Sequence, residues 1–254
     1  MSRSDPIREN YYASVQMADR ASDLLFGVGV ILSFCPLLID KERHEDLYGV
    51  ILIIFGLSAV LLFMLGAIQR LYLTPRAEDK RRQDFFSSAC NVSLTHEKTD
   101  GYYNNELKDP VRRIAAQVLE NSLFTKEISL QMARRERFKA GSYLILWLAL
   151  LFYRRVDIGW LVAASQVLFS EQILSKWLRL EWLRVRSEKT FDDVFRLFQT
   201  RPKSAQFHAH ALDAVTMYES AKATAAITLS SKIFDRLNPS LSDEWERIKR
   251  MLNL

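Results

Sequence analysis

Glycine, cysteine and histidine are all scarce in this chain. Its 254 residues include only eight glycines, and none sits in a GxGxxG or P-loop pattern. A phosphate cradle built on a glycine loop is therefore excluded. The two cysteines fall in unlike settings, Cys35 in an apolar run and Cys90 in a polar one, which argues against a disulfide framework. Histidine occurs only at His44, His96, His208 and His210. On a helix the rings of His208 and His210 stand about 200° apart, which is poor metal spacing. Cys90 and His96 lack a third ligand or an orienting acid. No catalytic residue, cofactor or metal is expected, and the chain does not read as an enzyme. No alternating, glycine-punctuated strand pattern occurs, so the expected fold is helical.

Charge is missing where it matters most. Residues 47–68, LYGVILIIFGLSAVLLFMLGAI, contain none. As a helix this stretch is about 33 Å long, enough to cross a hydrocarbon core of about 30 Å. Residues 24–39, LLFGVGVILSFCPLLI, form a shorter first run, with Gly27 and Gly29 suited to close helix contact and Pro36 near its end. No small-residue cleavage site follows, so an uncleaved span is expected rather than a signal peptide. The charged turn 40–46 between the two runs is short, making them an antiparallel hairpin. Residues 141–153 and 158–174 are apolar runs joined by a tight turn at 154–157, and they read as a second hairpin. The third run is short, and Arg154 and Arg155 lie on its outer side. Two spans plus a shallow hairpin is therefore the alternative.

Net charge is +5, and the cations cluster beside the apolar runs. Arg70, Arg76, Lys80, Arg81 and Arg82 follow the second run. Arg134, Arg135, Arg137 and Lys139 precede the third. Lys176, Trp177, Arg179, Trp182, Arg184 and Arg186 follow the fourth. Basic, tryptophan-bearing flanks mark the cytoplasmic side. The expected architecture is an all-α membrane protein with two transmembrane hairpins, or four spans. It comprises a cytoplasmic segment (1–23), a first hairpin (24–68), a helical cytoplasmic insert (69–140), a second hairpin (141–175) and a helical cytoplasmic tail (176–254). It is multi-pass in the inner (plasma) membrane, with both termini cytoplasmic.

Within the soluble parts, Thr74-Pro75 predicts a helix restart and Asp109-Pro110 a helix start. The fourth run is expected to continue as helix through 178–198. Residues 206–237 read as one long helix with a stripe of mainly small residues (Ala211, Ala214, Tyr218, Ala221, Ala225, Leu229 and Ile233). Asn238-Pro239-Ser240 should stop it, and Ser242 should cap a last helix.

Four residues of the fourth run share one helical face: Gly159, Ala163, Gln166 and Ser170. Polar groups in hydrocarbon face a bundle interior or a watered cavity. The face is thus either interhelical glue or candidate pore lining. The Gly101–Asn105 loop has Tyr102, Tyr103 and Asn104, which could stack a base or meet a partner, or simply pack back as a turn. Arg134 and Arg135 could take a nucleotide phosphate, or serve inner-leaflet lipid.

The layout resembles the SMODS-associated four-transmembrane pore-forming effectors of bacteria and the related SLATT proteins. The strings that carry the resemblance are GYYNN at 101–105, ENSLFTKEIS at 120–129 and YESAKATAAITLSSKIFDRLNPSLSDEWERI at 218–248. It implies an antiphage effector that permeabilises the inner membrane beside a nucleotide-producing sensor. The partners expected on that basis are the lipid bilayer, further copies of the chain, and a nucleotide second messenger or sensor protein. No nucleic-acid polymer is expected. The resemblance brings no catalytic or nucleotide-binding residue.

Overall fold

The computed structural model describes residues 5–97, 99, 107–153 and 157–254. Tyr102, Tyr103 and Asn104 lie outside the described residues. The fold is all helical, with no strand among the described residues. The α-helices of the described residues are, in order, α1 (Ala13–Phe34), α2 (Glu45–Ile68), α3 (Thr74–Cys90), α4 (Pro110–Phe152), α5 (Ile158–Leu168), α6 (Lys176–Thr200), α7 (Ser204–Ala225) and α8 (Ser231–Leu252).

The chain forms two compact units. The described residues of Met1–Ala13, Thr74–Ala133 and Arg179–Leu254 make the first, and Ser14–Leu73 with Arg134–Leu178 make the second. Several helices belong to both. One runs without a break over Arg8–Leu37 and another over Glu45–Cys90. Helix α4 spans 43 residues, crossing the boundary at Ala133.

The first unit is an ordinary globular helix bundle. Its core collects Phe85 and Ala89 of α3, Val118, Leu119 and Leu123 of α4, Val194 and Phe198 of α6, Phe207, Ala211 and Tyr218 of α7, and Trp245 and Ile248 of α8. Spacings mainly of three, four and seven put these residues on one face of each helix, with the adjacent pair Val118 and Leu119 widening that of α4. Asp109 caps α4 as expected, its Oδ1 accepting from the Val111 N–H at 3.2 Å.

The second unit is built the opposite way. Helices α1 and α2 are long and apolar enough to cross a membrane, yet almost none of either apolar window is buried within the protein. Leu24, Ile31, Ile53, Leu57, Val60 and Phe63 are all exposed. A soluble core helix would hide such residues. Among the described residues, only the helices Arg8–Leu37 and Glu45–Cys90, which contain α1 and α2, meet the length and composition needed for a full crossing. The apolar end of α4 stops at Phe152, and α5 has 11 residues, about 16 Å of helix.

The structure differs from the sequence expectations at four helix boundaries. Thr74-Pro75 restarts nothing. The π-helical turn Gln69–Leu73 absorbs the register change a proline imposes, and the helix runs on. The fourth run does not continue unbroken into α6. It breaks at Phe169 and Ser170, where Ser170 is extended (ψ 160°), and resumes as the π-helical turn Glu171–Ser175. The helix expected over 206–237 is two helices. Ala226 adopts a left-handed conformation (φ 46°), its N–H bonding to the Lys222 carbonyl, and Ser230 then caps α8 by accepting from the Ile233 N–H. Finally, Pro239 lies inside α8 and stops nothing, and Ser242 is internal rather than a cap. Pro239 is exposed, as is Asp235 four residues earlier, so solvent can satisfy the carbonyl the proline leaves unbonded.

Candidate functional site

Polar residues inside the second unit are few, and they fall at recognisable levels. At one end, Gln69 Nε2 donates to Asp19 Oδ1 at 2.5 Å, Arg70 pairs with Glu171, and Lys176 Nζ lies 3.4 Å from Asp23 Oδ1. These contacts tie α1, the end of α2 and the segment leading into α6. At the other end, the rings of Phe34 and Trp160 lie 5.6 Å apart. A Cβ placed on Gly159 would come within 2.7 Å of Leu37 Cδ2, so the start of α5 abuts the end of α1.

Between those levels lies an open crevice of about 160 Å³. Its polar lining is Ser33, Ser58, Gln166, Ser170 and Gln172, set among apolar side chains such as Phe26, Phe55 and Leu62. The three hydroxyls are satisfied within their own chain segments. Ser33 donates to the Val30 carbonyl, Ser58 to Phe55 and Ser170 to Val167, at 2.7–2.8 Å. Each oxygen retains acceptor capacity. The amides of Gln166 and Gln172 make no hydrogen bond to another described residue. Two carboxamides among apolar walls need water or a further protein group.

Of the four residues read as one face, the structure brings Gln166 and Ser170 into this crevice and leaves the other two outside it. Ala163 is buried, and Gly159 serves the close approach to Leu37. Ser165, beside that face, is interhelical glue. It accepts from Trp147 Nε1 at 2.8 Å and donates to the Leu161 carbonyl. Sequence reasoning did not single out Ser33, Ser58 or Gln172 as site residues. Their polarity within apolar runs was a signal, but nothing in the sequence indicated their shared register.

Arg134 and Arg135 are exposed and make no ion pair or hydrogen bond among the described residues. His208 approaches Asp109 at 3.4 Å. Among the described residues no cluster of His, Cys, Asp and Glu could hold a metal.

The first unit holds a largely buried charged cluster. Tyr12 OH donates to Glu78 Oε1 at 2.7 Å, and Lys222 Nζ sits 2.8 Å from Glu78 Oε2 and 3.2 Å from Glu219. Burial pushes the Glu78 carboxyl up, but Lys222 and the Tyr12 hydroxyl outweigh it and hold the group below its ordinary value. Burial likewise opposes the charge on Lys222, yet Glu78 and then Glu219 raise its pKa well above the ordinary lysine range. Tyr218, beneath Lys222, shares a 2.7 Å hydrogen bond with Thr125 of α4. A groove of about 460 Å³ also opens along α6 and α7, with Arg186, Arg196, His210 and Asp213 around Val194 and Met217.

No family description, curated protein or solved structure matches the chain.

Proposed function

We propose that this chain is an oligomeric inner-membrane effector. On this reading its membrane helices assemble into a permeabilising pore when the first unit receives a nucleotide signal or a partner protein. The observation that carries it is a pair of long apolar helices, almost wholly exposed along their apolar windows, beside a crevice with two unpaired amides. Lipid is the natural cover for the apolar surface, and the amides need water or another copy. On this reading a bundle of four helices is too small to enclose a channel, so conduction requires several protomers. The resemblance to the SMODS-associated effectors supports the same reading, which includes no catalytic step.

Four crossings fit the two polar levels of the second unit. Asp23 to Leu37 on the helix Arg8–Leu37 covers about 21 Å, and Gly159 to Lys176 about 25 Å, if every residue rises as in a helix. The two hairpins thus share both their basic and their distal ends. A thinned bilayer and snorkelling cations suit helices this short. The basic flanks support a reading in which the Gln69–Arg70 end and both termini face the cytoplasm. The groove along α6 and α7 is the candidate surface for the signal.

The test follows membrane potential and propidium entry in bacteria on induced expression, with the activating partner co-expressed. Wild type is expected to depolarise the cells. Gln166→Leu and Ser170→Leu are expected to insert normally and to depolarise at least tenfold more slowly. An intact potential in activated wild-type cells would refute the pore and leave a non-conducting anchor that recruits a cytoplasmic partner.

A further inference from the structure

On α4, the exposed residues Phe138, Ile145 and Phe152 recur every seven positions and so share one face of the helix. They are 80%, 70% and 78% exposed, among the least covered apolar side chains in the chain. Arg134 and Arg135 lie four and three residues before Phe138, on the adjoining turn of that same face. Both are exposed and neither has a partner among the described residues. The nearest carboxylate along the helix, Glu136, is matched by Lys139 at 3.9 Å. Gly141 follows Phe138 by three residues, and nothing lies within 4 Å of where its side chain would be. The face therefore reads, along the helix, as two free cations, an aromatic ring, a shallow gap and an apolar strip.

We infer that this face binds one anionic phospholipid. The inference rests on the membrane reading above. The phosphodiester sits between the Arg134 and Arg135 guanidiniums, which suit phosphate oxygens better than ammonium groups do. One acyl chain lies over Phe138, through the gap at Gly141, and along Ile145. From Phe138 to Phe152 is about 21 Å of helix, more than the roughly 15 Å of one leaflet's hydrocarbon. A soluble phosphate would use the arginines alone and make no use of the Phe138–Ile145 strip that continues from them. The exposed strip thus argues for a lipid over a free anion. Arg134 and Arg135, read from the sequence as candidates for a signal or a lipid, are on this account a lipid site.

The test uses the full chain reconstituted in vesicles of phosphatidylcholine and phosphatidylglycerol at 4:1. After flotation and detergent extraction, the lipid retained per chain is quantified by mass spectrometry. Wild type is expected to retain phosphatidylglycerol well above its share of the vesicle. Each of Arg134→Gln and Arg135→Gln should lower that preference about fivefold at low salt. Phe138→Ala should lower retention of both lipids, and Arg43→Gln, in the distal turn, should change nothing. A chain that does not float would sink the membrane reading and this site with it. A chain that floats but retains lipid in the vesicle ratio would overturn the lipid site alone, as would a preference that survives Arg134→Gln/Arg135→Gln. Displacement of the retained lipid by 10 mM inorganic phosphate would reassign the arginines to a soluble anion.

Discussion

Replacing Lys222 with methionine should loosen the first unit at a defined place. The Lys222 and Glu78 side chains are only 20% and 23% exposed and lie 2.8 Å apart. At an effective dielectric of about 20 their gross attraction is about 6 kcal/mol. Desolvation takes back most of this, so the intact pair adds little net stability. Its removal is not symmetrical, however. Lys222→Met leaves the Glu78 carboxylate buried with only the Tyr12 hydroxyl and the more distant Arg81 to support it. The expected cost is about 2–4 kcal/mol. In Glu78→Gln/Lys222→Met, where both charges are gone, the cost should fall to about 1 kcal/mol. Hydrogen exchange on the detergent-solubilised full chain provides the assay, because peptides from α3 and α7 report the opening of these helices separately. A loss of 3 kcal/mol corresponds to exchange more than a hundredfold faster where opening is limiting. Exchange in Lys222→Met within threefold of wild type would refute the reasoning. So would a double variant no slower to exchange than the single one.

Two further outcomes follow from the same unit. The Glu78–Lys222 contribution should be flat across neutral pH. Glu78 titrates below its ordinary value of 4.5 when folded, so its share is complete above that value and decays as pH falls through the folded pKa. Lys222 is raised above 10.5, so its share is complete below that value and is lost as pH rises through the folded pKa. Exchange of α3 and α7 measured from pH 5 to 10, corrected for the intrinsic rate, should show a plateau, and a steep loss of protection within that range would contradict the pairing. Pro239→Ala should stabilise α8 by about 1–2 kcal/mol, since alanine restores the bond to the Asp235 carbonyl at an exposed position. Thermal unfolding of the two proteins in one detergent would check the direction, and an unchanged or lower midpoint would contradict it.

What the sequence made legible was what a local rule can carry. The uncharged run at 47–68 needs no tertiary context to be read as a helix that can cross a membrane, and α2 is that helix. Asp109 with Pro110 gives a helix start from capping chemistry alone. The errors came where one local signal was allowed to outrank its setting. Pro239 reads as a stop, but an exposed proline followed by Leu241, Trp245 and Ile248 on a buried face is carried along by the packing of that face. Ala226 shows the reverse. No glycine or asparagine marks it, and it is left-handed nonetheless, because α7 ends there and α8 packs its own face from Ile233 onward. The crevice was half legible. Gln166 and Ser170 fall on one face by simple periodicity, whereas their meeting with Ser33 and Ser58 depends on the register between hairpins, which no single helix encodes.

The widened turn Gln69–Leu73 carries two of the second unit's polar pairs, Gln69 with Asp19 and Arg70 with Glu171. A π-helical turn holds one residue more than an α-helical one, so its side chains point where an unbroken α-helix would not put them. Any change that straightens this turn therefore costs the second unit both pairs at once.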